Sequence, residues 1–280
     1  MDGGGRVDGD GRVDADDDPV PSAHPDFEAA NLARMNDHLL GGDHNFAVDR
    51  AAIDAVVAEF PDLVRVGRAH RAFAGRAVRW CVEHDIDQFL DLGAGFPTVG
   101  SVHRTARKYA PGAAVAYVDV DPVAVAHGRD ILAAESGVVA VRADLLDPDA
   151  VLADPAVAGL LDLRRPVALL LTSVLHFLRA DPCPALARYR ALLAPGSALV
   201  LTHGWPGVEG DAGAGRRARA IVAAFRGATD VVLRGADEIR ALFAGFDLVA
   251  PGLVDVADWP EETDGPTGLL GGVGLRGSRG

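Results

Sequence analysis

From about residue 85 onward, short apolar runs alternate with amphipathic segments, and most of the runs end close to an Asp or a Gly. The runs lie at 88–90, 113–118, 138–141, 167–171 and 198–202. A strand, a helix and a second strand in succession form the unit of a parallel sheet. The order therefore predicts a doubly wound, mostly parallel α/β fold, and runs that are apolar throughout indicate a sheet covered on both faces.

Three helical patterns come before this region. They lie at 27–40, 49–60 and 67–84. The first ends at Gly41 and Gly42, because glycine accepts the left-handed conformation that commonly ends a helix. Asp49 is expected to cap the second helix, and Pro61 to end it.

The chain divides into three predicted parts. Residues 1 to about 25 contain seven Asp, two Arg and almost no large apolar side chain, which predicts a disordered acidic tail. Residues 26–84 are predicted to form an N-terminal helical segment, and residues 85–280 an α/β core.

The later part of the chain continues the same alternation less regularly. The pattern predicts a helix at 184–193, a mobile loop at 204–215, a helix at 237–243, a strand at 246–254 and a final edge strand at 268–275. Loops at this edge of a parallel sheet often control access to a ligand site.

Charge and composition exclude several classes of function. The formal net charge of −13 argues against a nucleic-acid partner, since such proteins carry clustered Lys and Arg. Cys81 and Cys183 are the only cysteines, so we expect neither disulfides nor a metal site. No signal sequence precedes the helices, and the longest apolar stretch, 167–178, is too short to cross a bilayer. A cytoplasmic protein without a membrane partner is expected.

A glycine turn follows the first apolar run, with the sequence Asp91-Leu92-Gly93-Ala94-Gly95. It lies between a strand and a helix expected from about Thr98, at the sheet edge where doubly wound folds bind ligands. Gly93 and Gly95 would let a ligand lie against bare backbone. A tight turn without any ligand is the alternative.

Two further carboxylates occupy equivalent positions after the next two apolar runs. Asp119 follows the second run and is a candidate to accept hydrogen bonds from ribose hydroxyls, while Asp121 is better placed to cap the next helix. Asp144 follows the third run and could accept the exocyclic amino group of adenine. Three acids at this edge suit a cationic adenosine cofactor and would repel a pyrophosphate.

These segments resemble the class I S-adenosylmethionine-dependent methyltransferases, and more narrowly an actinobacterial S-adenosyl methyltransferase group formerly described as a domain of unknown function. The resemblance covers nearly everything after the tail. It is carried by 34–42 (RMNDHLLGG), 45–50 (NFAVDR), 71–73 (RAF), 91–98 (DLGAGFPT), 117–122 (YVDVDP) and 174–177 (VLHF).

The resemblance implies a Rossmann-like sheet of seven strands beneath a helical lid. It also implies that S-adenosyl-L-methionine is the cofactor, and that its contacts come from Asp91, Gly93, Gly95, Asp119, Asp144 and Leu145. Arg34, Gly41 and Gly42 lie on the lid and are expected to contribute to cofactor binding as well. Either Arg34 or Arg71 could pair with the methionine carboxylate, although an arginine on a helix is often only a surface group.

Two histidines are candidates for a general base. His176 and His203 each closely follow a buried run at the same edge, and histidine titrates near neutral pH. Each could equally be a structural histidine bonded to backbone. Methyl transfer needs alignment and exclusion of water, and it needs a base only when the acceptor must lose a proton.

Three functions remain open from the sequence. The first is a methyltransferase acting on an unidentified small molecule. The second is a nicotinamide-dependent oxidoreductase, which is weakened because the turn lacks the later glycine and because Lys108 is the only lysine. The third is a regulator that binds S-adenosylmethionine without catalysis. The oligomeric state cannot be deduced from the sequence.

Overall fold

The computed structural model of the protein describes residues 29–207, 230–260 and 265–277, together with Gly213, Val222, Ala223 and Phe225. The predicted acidic tail and most of the predicted loop at 204–215 lie outside these residues. Within them, the chain forms one mixed sheet with helices on both faces, as the alternation predicts.

The strands follow the chain in the order expected for repeated strand-helix units. Their bounds are β1 (Gln88–Leu92), β2 (Ala114–Asp119), β3 (Val138–Arg142), β4 (Ala168–Thr172), β5 (Ala198–Gly204), β6 (Asp247–Leu248), β7 (Val254–Asp255) and β8 (Leu269–Leu275). The first five strands are parallel, in the spatial order β3-β2-β1-β4-β5. Ligand sites of such sheets lie where the order reverses, here between β1 and β4.

The helices of the described residues connect and cover these strands. Their bounds are α1 (Leu32–Leu39), α2 (Ala47–Glu59), α3 (Leu63–Glu83), α4 (Val102–Ala106), α5 (Pro122–Leu132), α6 (Pro148–Ala153), α7 (Pro155–Leu160), α8 (Cys183–Leu192) and α9 (Ala236–Ala241). Asp121 caps α5 by accepting from the Val123 N–H at 2.8 Å, with Pro122 in the first turn, which confirms the predicted cap.

Two apolar layers cover the two faces of the sheet. Leu90 of β1 packs with α8 residues such as Tyr189 on one face. Phe89, the neighbouring residue of β1, packs on the other face with Phe73 of α3. Phe89 and Leu90 are both fully buried, which explains why neighbouring residues on opposite faces of β1 are apolar. Helix α3 thus belongs to a layer of the core.

The C-terminal strands differ from the prediction. The strand predicted at 246–254 is interrupted by a turn at Pro251 and Gly252, and its two ends form β6 and β7. Proline has no N–H to donate to a ladder, so one continuous strand is not possible there. In the described residues the sheet has eight strands instead of the seven that the resemblance implies, because both fragments pair with β8.

β8 was predicted as an edge strand, and this was wrong. It lies between β5 and β6 and is antiparallel to both. Its glycines allow this interior position, since a Cβ on Gly271 would lie 2.8 Å from Val256 Cγ1 and 3.1 Å from Phe73 Cζ. The glycines of β8 are therefore required by close packing.

Two helix boundaries also differ. Asp49 was expected to cap the second helix, but Phe46 is the N-cap residue, and Asp49 lies in the first turn, where it accepts from the Phe46 N–H at 2.9 Å. The helix expected from about Thr98 begins at Val102. No helix in the described part of the chain is both long and apolar enough to cross a membrane.

A buried ion pair joins α1 to α2. Arg34 Nε donates to Asp49 Oδ2 at 2.7 Å, and the two side chains are 2% and 0% exposed. Asp49 also accepts from the backbone N–H groups of Asn31 and Phe46, each at 2.9 Å. Three donors satisfy this carboxylate, which is what a charge removed from water requires.

Replacing Asp49 should therefore cost much of the stability of the helical segment. We expect Asp49→Asn to lower the free energy of unfolding by about 3 kcal/mol, because it leaves the Arg34 charge buried without its counterion. Urea unfolding followed by circular dichroism measures this change. Asp54→Asn on the same helix is the control, since the Asp54 side chain is 68% exposed and should change stability by less than about 1 kcal/mol. Equal effects of the two substitutions would contradict the interpretation.

Candidate functional site

The glycine turn after β1 brings bare backbone to the carboxyl edge of the sheet. Gly93 and Gly95 have φ angles of 69° and 59°, in the left-handed region. A Cβ on Gly93 would lie 2.2 Å from Val174 Cγ2, so glycine is required there for space as well as conformation. The turn continues as a loop up to Ser101. The backbone N–H groups that follow the glycine turn therefore belong to a loop and not to the N-terminus of a helix.

The three predicted acids lie at the ends of three adjacent strands, as expected. Asp91 is buried in β1, Asp119 is partly exposed at the end of β2, and Asp144 is exposed just after β3. Asp119 Oδ2 accepts from the Gly95 N–H at 2.8 Å. This hydrogen bond attaches the glycine turn to β2 and leaves further acceptor capacity on the Asp119 carboxylate.

Burial and neighbouring charges set the ionisation of Asp91. Burial raises the pKa of the Asp91 carboxyl to about 7, with Asp119 adding to the rise and Arg71 opposing it. Arg71 comes from α3, and burial lowers the pKa of its guanidinium, while the charge of Asp91 raises it. Arg71 Nε is buried and has no hydrogen-bond partner among the described residues. A buried cationic donor without a partner is costly, so this group suits an anionic ligand.

The predicted lid residues Arg34, Gly41 and Gly42 have different surroundings. Arg34 is 1% exposed and forms the ion pair with Asp49, and its Nη2 donates to the Ala29 carbonyl at 2.6 Å. These contacts make Arg34 part of the packing between α1 and α2. Gly41 has open space where a Cβ would lie, with a φ of 82°.

Asp37 is a central residue of this region that the sequence reasoning did not single out. Its side chain is 2% exposed and accepts from Thr98 Oγ1 at 2.6 Å and from the His44 N–H at 2.8 Å. Thr98 belongs to the loop after the glycine turn, so Asp37 ties α1 to that loop. A Cβ on Gly42 would lie 2.2 Å from Asp37 Oδ1.

A second hydrogen bond of α1 joins its start to the start of α5. Asn31 caps α1 and donates from Nδ2 to Asp121 Oδ2 at 2.5 Å. Val120, between the two acids after β2, is 63% exposed. Both features lie beside Asp119. The sequence signal for both features is the succession of Asp119, Val120 and Asp121, which by itself predicts only the start of a helix.

The geometry argues against His203 as a general base, contrary to the sequence-based candidate. His203 is fully buried, its Nδ1 donates to the Gly204 carbonyl at 2.8 Å, and its Nε2 accepts from Arg234 Nη1 at 2.7 Å. Burial lowers the pKa of the ring to about 4. With both nitrogens engaged, His203 is a structural histidine.

His176 is also almost completely buried, at 4% exposed. Its Nδ1 accepts a long hydrogen bond from the Gly204 N–H at 3.4 Å, and its ring packs against Phe177. Burial, followed by the positive fields of its neighbours, lowers the pKa of the ring to about 3. A ring of such low basicity is poorly suited to remove a proton near neutral pH.

A third histidine, His70 of α3, lies between the ends of β4 and β5. His70 Nε2 is 3.0 Å from Ser173 Oγ and 3.1 Å from Thr202 Oγ1. Burial lowers the pKa of its ring to about 3, with a smaller contribution from Arg71. His70 was not recognised in the sequence, because its helix packs beside β4 and β5 only in the folded chain.

The model of the S-adenosyl methyltransferase family matches residues 19–274. The chain belongs to this family. It is therefore an S-adenosylmethionine-dependent methyltransferase, as the acids and the glycine turn predict, with S-adenosyl-L-methionine as cofactor. The oxidoreductase and the non-catalytic regulator receive no support from the comparison.

Two crystal structures resemble this methyltransferase over most of its length. A "putative methyltransferase" from Thermobifida fusca is 34% identical, with 94% of this chain and 100% of that chain covered and a TM-score of 0.81. A DUF574 family protein from Streptomyces avermitilis is 33% identical, with 90% and 99% covered and a TM-score of 0.78. No curated protein matches the chain.

The contact between Gly42 and Asp37 can be tested directly. In Gly42→Ala the new methyl group displaces the Asp37 carboxylate from its hydrogen bonds, so we expect a loss of about 2 kcal/mol in the free energy of unfolding. Gly112→Ala is the control, because a Cβ there meets nothing within 4 Å. Urea unfolding measures both variants. A Gly42→Ala variant as stable as the control would show that Asp37 does not hold α1 in place.

Proposed function

We propose that this methyltransferase holds S-adenosylmethionine along the carboxyl ends of β1, β2 and β3. The observation that carries the proposal is the unpartnered, buried Nε of Arg71 beside the buried Asp91. A carboxylate and an ammonium group on one ligand complement this pair, and the methionine part of the cofactor has both. Arg71 would bind the carboxylate, and Asp91 would bind the ammonium group.

The nucleoside part fits the next two strand ends. Asp119 keeps acceptor capacity for the ribose hydroxyls beside the bare backbone of Gly93 and Gly95. The exposed side chain of Val120 and the core residue Leu145 provide apolar surface for the adenine ring. Asp144 would accept from the exocyclic amino group. When bound, the cofactor supplies an electrophilic methyl group on a sulfonium.

The chain's own contribution to methyl transfer is then to align the reactants and exclude water. We propose that α1 and α2 form the lid, since Asp37 and Asn31 attach α1 to the rim of the cofactor site. Gly41 and Gly42 follow directly at the end of α1. Arg34 supports this lid through Asp49, and Arg71 takes the role of carboxylate ligand.

The acceptor is proposed to be a small molecule that is methylated in the cytoplasm. The net charge of −13 disfavours a nucleic-acid acceptor. We further propose the division of the chain into an acidic tail (1–25), a lid segment (26–84) and a core (85–280). Within the lid segment α1 and α2 would form the lid itself, whereas α3 packs with the core.

If Arg71 binds the cofactor carboxylate, its replacement should weaken cofactor binding measurably. Arg71→Gln should raise the Kd for S-adenosylhomocysteine about 10- to 100-fold, because a charge-assisted hydrogen bond contributes about 1.5–3 kcal/mol. Isothermal titration calorimetry measures the change. Arg79→Gln is the matched control on the same helix, since the Arg79 side chain is 54% exposed and pairs with Glu83. Wild-type affinity in Arg71→Gln would contradict this role, and absence of binding to the wild type would contradict the proposed site.

Asp91 should make cofactor binding depend on pH. Its pKa is about 7 in the free protein, and a bound ammonium group favours the ionised form. Affinity for S-adenosylhomocysteine should therefore rise with pH from 5.5 to 7, by up to about tenfold per unit, and then level off. Calorimetric titrations across this range test the slope. Asp91→Asn should bind more weakly and without this slope, and a flat profile for the wild type would exclude the proposed contact.

A further inference from the structure

A polar cluster that the cofactor site does not use lies at the ends of β4 and β5. It consists of His70, Ser173 and Thr202, which are linked by the contacts of His70 Nε2 and by the Ser173 N–H, which donates to Thr202 Oγ1 at 2.8 Å. Thr202 is fully buried, whereas His70 and Ser173 are partly exposed. Of the three, His70 and Ser173 are therefore accessible to a ligand, and Thr202 Oγ1 contacts both from the buried side.

Ser173 has an unusual backbone conformation. Its φ is 57°, in the left-handed region that non-glycine residues rarely adopt because of steric strain. Such residues persist where the surroundings impose them, and they cluster at functional sites. Here the Ser173 N–H is held by Thr202. The strained backbone places the serine hydroxyl beside His70 at the rim of the sheet.

The cluster adjoins the proposed cofactor site. Val174, the residue after Ser173, packs against Gly93 of the glycine turn, and β4 is the direct neighbour of β1. His70 and Arg71 are consecutive residues of α3. Arg71 interacts with Asp91 on the cofactor side, while His70 contacts the ends of β4 and β5. A methyl acceptor must lie next to the cofactor, and in the described residues this cluster is a polar surface beside the proposed cofactor site.

The charges around the cluster indicate which acceptor it suits. His70, Ser173 and Thr202 contact one another through neutral groups, and in the described residues no carboxylate is hydrogen-bonded to them. The charged residue that acts on His70 is Arg71, the next residue of α3. A protonated amine would therefore find no counterion in this cluster, whereas the positive charge of Arg71 favours a hydroxyl that can ionise.

We propose that the acceptor carries an acidic hydroxyl, such as a phenol, and that Ser173 Oγ–H donates a hydrogen bond to its oxygen. This inference rests on the proposed cofactor site. His70 is a positioning residue, whose Nε2–H donates to Ser173 Oγ and directs the serine proton to the acceptor. The hydroxyl proton passes to water. The oxygen then forms a bond to the methyl carbon, and the carbon–sulfur bond breaks with its electron pair remaining on sulfur.

The probe for this site is 4-nitrophenol, whose anion absorbs visible light. Titration into the wild type, with and without S-adenosylhomocysteine, should show saturable binding and a shift of the bound probe towards the anion. Ser173→Gly accepts the same backbone conformation without the hydroxyl, so we expect its Kd for 4-nitrophenol to be at least fivefold higher. His70→Leu should raise this Kd similarly, and His70→Gln, which keeps an N–H donor, should recover part of the affinity.

Ser136→Gly is the matched control, because Ser136 is exposed and precedes β3 at the opposite edge of the sheet. It should respond like the wild type, and benzylamine, a cation, should not compete with the probe. Three results would overturn the inference: no binding of 4-nitrophenol, binding without a shift to the anion, or an unchanged response in Ser173→Gly. Calorimetry with S-adenosylhomocysteine on the same samples tests the cofactor site separately, so the two proposals can fail independently.

Discussion

A carboxyl group buried at the end of β1 is the feature on which the arrangement of the site depends. Asp91 lies at the switch point of the parallel sheet, where burial raises its pKa to about 7 and Arg71 opposes the rise. Neither group has a low-energy state alone in this environment, because an isolated charge out of water is costly. The pair suits the proposed ligand, which carries an ammonium and a carboxylate group.

The same helix divides the sheet edge into two halves. Arg71 interacts electrostatically with Asp91 of β1 and Tyr117 of β2, and the preceding residue, His70, contacts the hydroxyl groups at the ends of β4 and β5. One half is charged and suits the cofactor, whereas the other half is uncharged and suits an acceptor. Methyl transfer requires this proximity more than it requires a strong base. The low basicity of His176 and His203 is consistent with such a division.

Much of the fold could be predicted because it depends on local periodicity. The alternation after residue 85 identified the five parallel strands, and the predicted cap at Asp121 was confirmed. The errors concern residues whose role depends on distant partners. β8 was predicted to be an edge strand, but it lies inside the sheet, where Gly271 allows close contact with Val256 and Phe73. His203 resembled a base because nothing in the sequence shows the Arg234 side chain that occupies its Nε2.

The sequence by itself determined the class of fold, the glycine turn and the positions of Asp91, Asp119 and Asp144, because strand ends and turns are local features. Only the tertiary structure decided which side chains from other segments reach that edge. It paired Arg34 with Asp49, left Arg71 beside Asp91, and brought His70 to Ser173, more than a hundred positions away in the chain. The physical reason is that burial and hydrogen bonding fix these roles, and both arise only when α1 and α3 pack against the sheet.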